Sequence, residues 1–182
     1  GCVHEWPSEY GKRVLAEVDS TYAEGARIAA SLTGPEWILG LRQTKGRGRR
    51  GRPWQDPIGN FAATLVTRPM QAPDQVALRS FVASLALYDA FVAVTARPDA
   101  FALKWPNDVS LNGGKVAGIL LESAGATGST MSHLAIGIGV NLVSAPMPED
   151  VEASGTRPVS LLAETGTLVA PQEFLGVLAA AF

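Results

Sequence analysis

The fold is decided by Val109-Ser110-Leu111-Asn112-Gly113-Gly114-Lys115-Val116, which predicts two strands joined by a tight turn. Asn-Gly between alternating apolar residues is the strongest short-range signal for a β-hairpin, because both turn residues must adopt a positive φ. The second strand is predicted to continue to Glu122. The hairpin therefore indicates a sheet with antiparallel neighbours.

Further strands are predicted on both sides of the hairpin, and most are bounded by glycine or proline. They cover residues 15–18, 37–41, 59–67, 101–105 and 132–142. In the last of these, one face carries Leu134, Ile136, Ile138 and Val140. The other face carries Gly137 and Gly139, which suggests that something must approach that surface closely.

Helices are predicted between the strands and at the end of the chain. Thr21 and Glu24 form a capping box that begins a helix over 22–32. The longest helix covers 74–96, with a predicted core stripe of Val76, Phe81, Leu85, Tyr88 and Val92. Pro158 lies near the start of a short helix, and Pro171 opens the last one. The fold class is therefore α+β, with a mixed, largely antiparallel sheet packed with helices.

Length and composition predict one globular domain over 1–182 and exclude several kinds of site. The chain has 182 residues, 47% of them hydrophobic, which is enough for a core without disulfides. The single cysteine, Cys2, excludes an internal disulfide framework, and only His4 and His133 could serve a histidine metal cluster. No run of about 18 consecutive apolar residues and no signal-peptide pattern is present, so we expect a cytoplasmic protein without a membrane partner.

The most charged segment is Gly46-Arg47-Gly48-Arg49-Arg50-Gly51-Arg52. Six of the fifteen Lys and Arg residues lie between Arg42 and Arg52, although the formal net charge is -2. Positive charges on glycine hinges repel each other, so we expect this loop to be poorly ordered until an anion binds. Guanidinium groups bind phosphate or carboxylate in a fork, which favours an anion clamp.

Other interpretations of this loop are weaker. Its glycines fit the dinucleotide fingerprint, but Pro53 and Pro57 follow where that motif needs a helix, and no phosphate-loop Lys-Ser/Thr is present. A nucleic-acid-binding module that uses the same arginines is the serious alternative. The rest of the chain is acidic on balance and offers no second basic stripe, so a small anionic ligand is favoured.

Polar residues gather where the predicted strands end. Lys104 and Asp108 flank one strand end, and Lys115 follows the hairpin turn. With the arginine loop they form a cation-rich site with one carboxylate able to hold Mg²⁺. Such a set suits phosphoryl or nucleotidyl transfer, in which the protein positions groups and neutralises charge.

Four blocks in order resemble the signatures of biotin protein ligases. They are Gly46 to Arg52 with Trp54, Lys104-Trp105-Pro106-Asn107-Asp108, Lys115-Val116-Ala117-Gly118-Ile119-Leu120, and Gly137-Ile138-Gly139-Val140-Asn141. The resemblance implies a monofunctional ligase that converts biotin and MgATP to biotinyl-5′-AMP and pyrophosphate. It then transfers biotin to a lysine of a biotin carboxyl carrier protein domain of a carboxylase. The resemblance does not fix the oligomeric state, and both a monomer and a homodimer are compatible with it.

The resemblance also implies roles for individual residues. Lys115, Arg49 and Asp108 would be catalytic, and Asp108 would also hold Mg²⁺. The residues implied for biotin are Ser20, Thr21, Tyr22, Gln43, Arg47, Gly48, Arg49, Lys115, Gly118, Gly137 and Gly139. Those implied for ATP are Arg49, Arg50, Trp54, Asn107, Lys115 and Asn141.

The chain departs from the family pattern in three places. Tyr22 stands where the family usually has Asn. No winged helix precedes the catalytic region, so a DNA-binding role is not implied. The family's small C-terminal β domain has no room after Phe182. A lipoate or octanoate ligase or transferase shares the architecture and is the alternative enzyme, but the dense arginine-glycine loop favours biotin.

Overall fold

In a computed structural model, seven strands form one sheet, and helices cover both of its faces. The structure describes residues 5–48, 53–54, 57–67, 76–104, 108–125, 131–146 and 156–182. The strands are β1 Gly11–Leu15, β2 Glu36–Gly40, β3 Phe61–Thr67, β4 Phe101–Lys104, β5 Asp108–Leu111, β6 Gly114–Gly125 and β7 Met131–Val140.

The strand order is β1-β2-β3-β7-β6-β5-β4. Only the β1–β2 pair is parallel among the described strand pairs, and the other five pairs are antiparallel. The predicted mixed, largely antiparallel sheet is therefore confirmed.

The hairpin that the sequence predicts joins β5 to β6. Leu111 pairs with Gly114 across a two-residue turn. Asn112 and Gly113 occupy that turn with φ of 50° and 82°. Both values are positive, as the twist of a two-residue hairpin turn requires.

The described residues also form four α-helices, namely α1 Thr21–Ile28, α2 Val76–Thr95, α3 Leu161–Thr165 and α4 Pro171–Ala181. The predicted cap of α1 was wrong by one residue. Ser20, and not Thr21, is the N-cap, and its hydroxyl accepts a hydrogen bond from the Ala23 amide. The helix ends at Ile28, and a 3₁₀ turn, Ala29–Ser31, replaces the predicted last turn.

The first strand also differs from its prediction, which placed it at 15–18. β1 ends at Leu15, where the predicted strand begins, and its residues from Gly11 onward pair with β2. Its residues alternate between partly buried and exposed positions, and two of them are charged, so the apolar run after it was a misleading signal. Val18 makes only an isolated bridge to Gln43.

The main core lies between one face of the sheet and the helices α2 and α4. The four aliphatic residues that β7 directs to this face are all buried, as predicted. Aromatic rings join the layers, with Phe61 at 5.1 Å from Phe174 and Phe91 stacked on Phe101 at 4.8 Å between ring centroids.

The predicted core stripe of α2 was wrong at two positions, whereas Tyr88 packs against the core as predicted. Phe81 and Leu85 are 46% and 40% exposed, and the buried apolar face consists of Ala83, Ala86, Leu87, Ala90 and Phe91. This helix is apolar nearly all round, so periodicity alone could not select its inner face. Alanines let the helix come close to the sheet, which is why they occupy the buried positions.

Helix α2 also meets the length and composition of a membrane span, over Leu78–Thr95, in the part of the chain that is described. Its buried face packs into the core that α4 and the sheet share. This is the arrangement of a core helix, which passes the same test of length and composition.

The second face of the sheet is covered by α1. Ala29, Ile38 and Val66 form a small apolar cluster there. Gly25 lets the helix approach β3, because a methyl group at this position would come within 2.7 Å of Val66 Cγ2. Beyond α1, this face carries small residues, and the candidate site lies on them.

We expect opposite stability changes when two glycines in open space are replaced by alanine. A Cβ at Gly113 or at Gly176 would have no neighbour within 4 Å, so packing contributes nothing in either variant. Gly113→Ala should destabilise the fold by about 1 kcal/mol, because a φ of 82° is strained for alanine. Gly176→Ala, inside α4, should stabilise it by about 0.5–1 kcal/mol. Urea denaturation measures both, and changes of the same sign would contradict this account of the turn.

Candidate active site

The candidate site lies on a row of small residues that crosses four strands. Ala62 pairs with Gly139, and Gly139 pairs with Gly118. Gly40 continues the row on β2, since its neighbour Leu39 pairs with Ala63. We call these four residues the floor. It spans three strand spacings, or about 14 Å.

A polar group stands at the β2 end of the floor. The Gln43 side-chain oxygen accepts hydrogen bonds from the Thr21 amide at 2.8 Å and from the Thr21 hydroxyl at 3.3 Å. The same hydroxyl lies 2.9 Å from that of Thr64 on β3. Thr21 Cγ2 would be 2.9 Å from a methyl group at Gly40, so these side chains stand directly beside the floor. The structure thus brings together Thr21 and Gln43, with Ser20 buried next to them.

A cation and a carboxylate stand at the other end. The Lys115 ammonium lies 3.4 Å from Asp108 Oδ1, with side-chain exposures of 30% and 16%. The same ammonium lies 5.6 Å from the ring centroid of Trp54. Asp108 pairs with Gly118 across β5 and β6, so both charged groups border the floor.

The main chain of Lys115 is held on both sides by a distant segment. Its amide donates to the Arg157 carbonyl at 2.9 Å, and its carbonyl accepts from the Val159 amide at 3.0 Å. Val159 is buried and also packs against Gly114. The position of the ammonium therefore depends on 157–159 as well as on the hairpin.

Asn141, predicted to contact ATP, belongs to the same support. Its side-chain amide donates to the Val159 carbonyl at 3.2 Å, and its backbone amide donates to Val116. The residue is 2% exposed, and its Oδ1 has no hydrogen-bond partner among the described residues. The Nδ2 group of Asn141 thus supports the structure, whereas its Oδ1 is an acceptor that no described residue uses.

Trp54 lies over the floor. A methyl group at Gly139 would be 2.6 Å from the indole Cε2 and Nε1, and one at Gly118 would be 3.4 Å from the indole Cζ3. The Trp54 amide donates to the Gly46 carbonyl at 2.9 Å, and Arg47 forms an isolated bridge with Pro53. These contacts bring the start of the arginine loop to the floor.

Tyr22 stands beside the floor on the next row of the sheet. Its Cδ2 would be 3.2 Å from a methyl group at Gly137. Burial raises the pKa of the phenol well above its ordinary value, and a hydrogen bond to the Glu122 carboxylate raises it further. The phenol is therefore neutral at physiological pH and donates to Glu122. The predicted close approach to Gly137 and Gly139 is thus made by the chain's own Tyr22 and Trp54 rings.

Some predicted site residues lie outside the described part of the chain. They are Arg49, Arg50 and Asn107. The expected disorder of the loop falls largely on the same stretch, 49–52, and stays a prediction. Of the other loop residues in the prediction, Arg47 is exposed and Gly48 is half-buried.

Sequence reasoning missed Thr64, Glu122 and the 157–159 segment. Thr64 gave a usable signal, since it is a hydroxyl in an otherwise apolar run of β3, and it is fully buried. Glu122 looked like an ordinary exposed strand residue. The segment 157–159 carries no sequence signal except Pro158. The pairing of this segment with Lys115 joins residues that are far apart in the chain.

Comparison with known proteins identifies relatives of the chain. Residues 11–141 match the family described as the biotin/lipoate A/B protein ligase family. The chain is 54% identical over 169 residues to the biotin–[acetyl-CoA-carboxylase] ligase of Paracoccus denitrificans, covering 93% of this chain and 70% of the relative. It is 34% identical to the Mycobacterium tuberculosis protein of the same name, covering 82% of this chain and 56% of that one.

Solved structures agree with this result. The biotin protein ligase of Leishmania major in complex with biotinyl-5-AMP matches with a TM-score of 0.78 and 26% identity, over 94% of this chain and 72% of that chain. The Aquifex aeolicus enzyme in complex with biotin and ATP matches with a TM-score of 0.76 and 30% identity, over 94% and 68%. The chain is therefore similar to about two thirds to three quarters of each solved protein.

We expect Gly139→Ala to displace the Trp54 indole, because 2.6 Å is too short for a real contact with a Cβ. The near-UV circular dichroism should change while the melting temperature falls only slightly, since a side chain borne on a loop can move. Gly118→Ala is the matched control, because its Cβ would sit at an ordinary 3.4 Å. In a Trp54→Phe background the spectral effect of Gly139→Ala should largely disappear. An effect that persists there would contradict the contact.

Proposed function

The chain belongs to the biotin/lipoate A/B protein ligase family, and on that premise we propose that it is an ATP-dependent biotin–protein ligase. It activates biotin with MgATP to biotinyl-5′-AMP and transfers the biotinyl group to a lysine of a biotin carboxyl carrier protein domain. The observation that carries the proposal is the floor with a polar cluster at one end and Lys115 at the other. An elongated ligand with a hydrogen-bonding head and an anionic tail fits that layout.

The head of biotin meets the polar cluster of Thr21 and Gln43 at the β2 end. The ureido group has two N–H donors and one carbonyl acceptor, and hydroxyl and amide groups satisfy both kinds. A buried polar head left without these partners costs about 1–3 kcal/mol per unpaired group, so the cluster sets specificity.

In the first step, a biotin carboxylate oxygen attacks the α-phosphorus of ATP. A new P–O bond forms, the bond to the β-phosphate bridging oxygen breaks, and pyrophosphate leaves with that electron pair. The obstacle is the approach of two anions. The Lys115 ammonium lies at the end of the floor opposite the polar cluster, where it offsets this repulsion.

The donor set of the site fits Mg²⁺ that arrives with ATP. Mg²⁺ takes one or two carboxylates and completes its shell with phosphate oxygens and water. Asp108 is the carboxylate at the site, and the described residues contain no group of three or more metal-binding side chains that would form an all-protein cage. When bound, the ion neutralises phosphate charge, and Asp108 would hold it.

In the second step, the amine of the carrier lysine attacks the carbonyl carbon of the mixed anhydride. A C–N bond forms, the C–O bond to the phosphate breaks, and AMP leaves while the amine loses its proton. The name of the Paracoccus relative supports a carboxylase as the source of the carrier domain. We also propose that this takes place in the cytoplasm, where carrier and ATP are both available.

Lipoate is the second candidate substrate, because the family description includes lipoate ligases. Both acids have an anionic tail, so the Lys115 end does not distinguish them. The polar cluster does, since a dithiolane ring offers no donors to Thr21 and Gln43. Biotin is therefore the favoured substrate.

We expect purified protein with MgATP to release pyrophosphate when biotin is added and to release little without it. Lipoate at the same concentration should give a much lower rate, because its dithiolane ring gains no hydrogen bond from the polar cluster. A coupled pyrophosphate assay measures all three conditions. Equal release with and without biotin would contradict the proposed function. A faster rate with lipoate than with biotin would show that lipoate is the substrate.

Lys115→Ala should reduce biotin-dependent pyrophosphate release by at least about 10²-fold, as for the loss of one group aimed at developing charge. Its melting temperature should change little, because the partly exposed ion pair with Asp108 contributes about 0–1 kcal/mol. Lys115→Arg should restore little activity, since a planar guanidinium does not replace a compact ammonium.

Lys104→Ala is the matched control for the loss of a lysine. Lys104 is exposed and lies opposite Asp108 across β4 and β5, but its ammonium bonds to the Thr156 hydroxyl, whereas Lys115 forms the ion pair with Asp108. Its truncation should leave most of the rate. Equal losses in the Lys115 and Lys104 variants would show that the central cation is wrongly assigned.

A further inference from the structure

The Tyr22 ring forms a wall beside the floor. Tyr22 is the second residue of α1 and directly follows Thr21 of the polar cluster. Its ring lies against Gly137, one row from the floor, and the residue is half-buried. The Trp54 indole covers the floor at Gly139 and Gly118, so a ligand that enters beside this indole would have the Tyr22 ring at its other side.

The phenol is anchored on a third element. Leu120 pairs with Gly137 and Glu122 pairs with Ala135, so Glu122 points to the same face of the sheet as Gly137. The phenol hydroxyl donates to the Glu122 carboxylate, and the side chain thus reaches from α1 across β7 to β6. Arg47 is the other charged group that acts on the phenol.

We propose that the Tyr22 ring bounds the space that a ligand can take beside the floor, and that Glu122 is a positioning residue that holds this ring. The proposal rests on the proposed function and adds a selectivity to it. Within that function, the wall recognises the fused thioether ring of biotin, which is its bulkiest apolar part. The polar cluster recognises the ureido group and does not sense that ring.

Desthiobiotin is the probe that separates the two contributions. It keeps the ureido ring and the carboxylate but lacks the thioether ring, so it meets the polar cluster and Lys115 without filling the space beside Tyr22. The readout is the preference for biotin over desthiobiotin, taken as the ratio of their kcat/KM values in pyrophosphate release. Purely structural damage lowers both values together and leaves the ratio unchanged.

Tyr22→Ala should lower this ratio by about tenfold or more, because one apolar group in a fitted pocket is worth 10–200-fold in discrimination. The KM for biotin should rise, while kcat at saturating biotin and the KM for ATP stay within about threefold. Tyr88→Ala is the matched control, since it removes a tyrosine of α2 that bonds to the Pro98 carbonyl away from the floor. It should leave the ratio unchanged.

The role of Glu122 is tested by a double-mutant cycle. Tyr22→Phe keeps the ring and removes its anchor, and Glu122→Ala removes the same anchor from the other side. Each should lower the ratio by about threefold, the double variant should lower it no further, and Glu122→Gln should restore it because an amide oxygen still accepts. Additive losses would overturn the role of Glu122.

Two further outcomes distinguish a failure of the proposed wall from a failure of the proposed function. An active wild-type chain whose ratio is the same in Tyr22→Ala would overturn the wall and leave the proposed function standing. A wild-type chain without biotin-dependent pyrophosphate release would overturn both.

Discussion

The site depends on the alternation of side chains along β7. Its aliphatic residues are buried between the sheet and the helices α2 and α4, and they make up much of the main core. The intervening positions are Ala135, Gly137 and Gly139, which leave the opposite face without bulk. A register slip of one residue would put the glycines in the core and the aliphatic residues on the floor. The stability of the fold and the lack of bulk on the floor are thus set by the same strand.

A second requirement is that the main chain that carries the reacting cation be held in place before the ligands arrive. Lys115 follows a tight turn that fixes its direction, and 157–159 bonds its amide and its carbonyl. Buried Asn141 ties the same segment to the end of β7. Preorganisation of this kind removes the cost of reorienting a charged group during the reaction, which is why electrostatic stabilisation in such sites is effective.

The sequence predicted the elements whose signals are local. The turn at Asn112–Gly113 and the two faces of β7 follow from short patterns and are confirmed. The predicted inner face of α2 was wrong at Phe81 and Leu85, because that helix is apolar on most sides. The layers that pack on the helix decide which of these sides is buried. The support of Lys115 by 157–159 was missed, because no local pattern encodes a pairing between segments so far apart in the chain.

The contacts of the Lys115 side chain are weak enough to be exchanged. Its ion pair with Asp108 is partly exposed and contributes about 0–1 kcal/mol. Its approach to the Trp54 ring adds about 0.5–1 kcal/mol at a site of this exposure. We expect two ligand anions beside the ammonium to attract it more strongly than these partners do, so that binding replaces them. When the ammonium leaves Asp108, it also frees that carboxylate, which is the group we propose for Mg²⁺. Breaking this single ion pair therefore makes both the ammonium and the carboxylate available, the first to the phosphates and the second to their Mg²⁺.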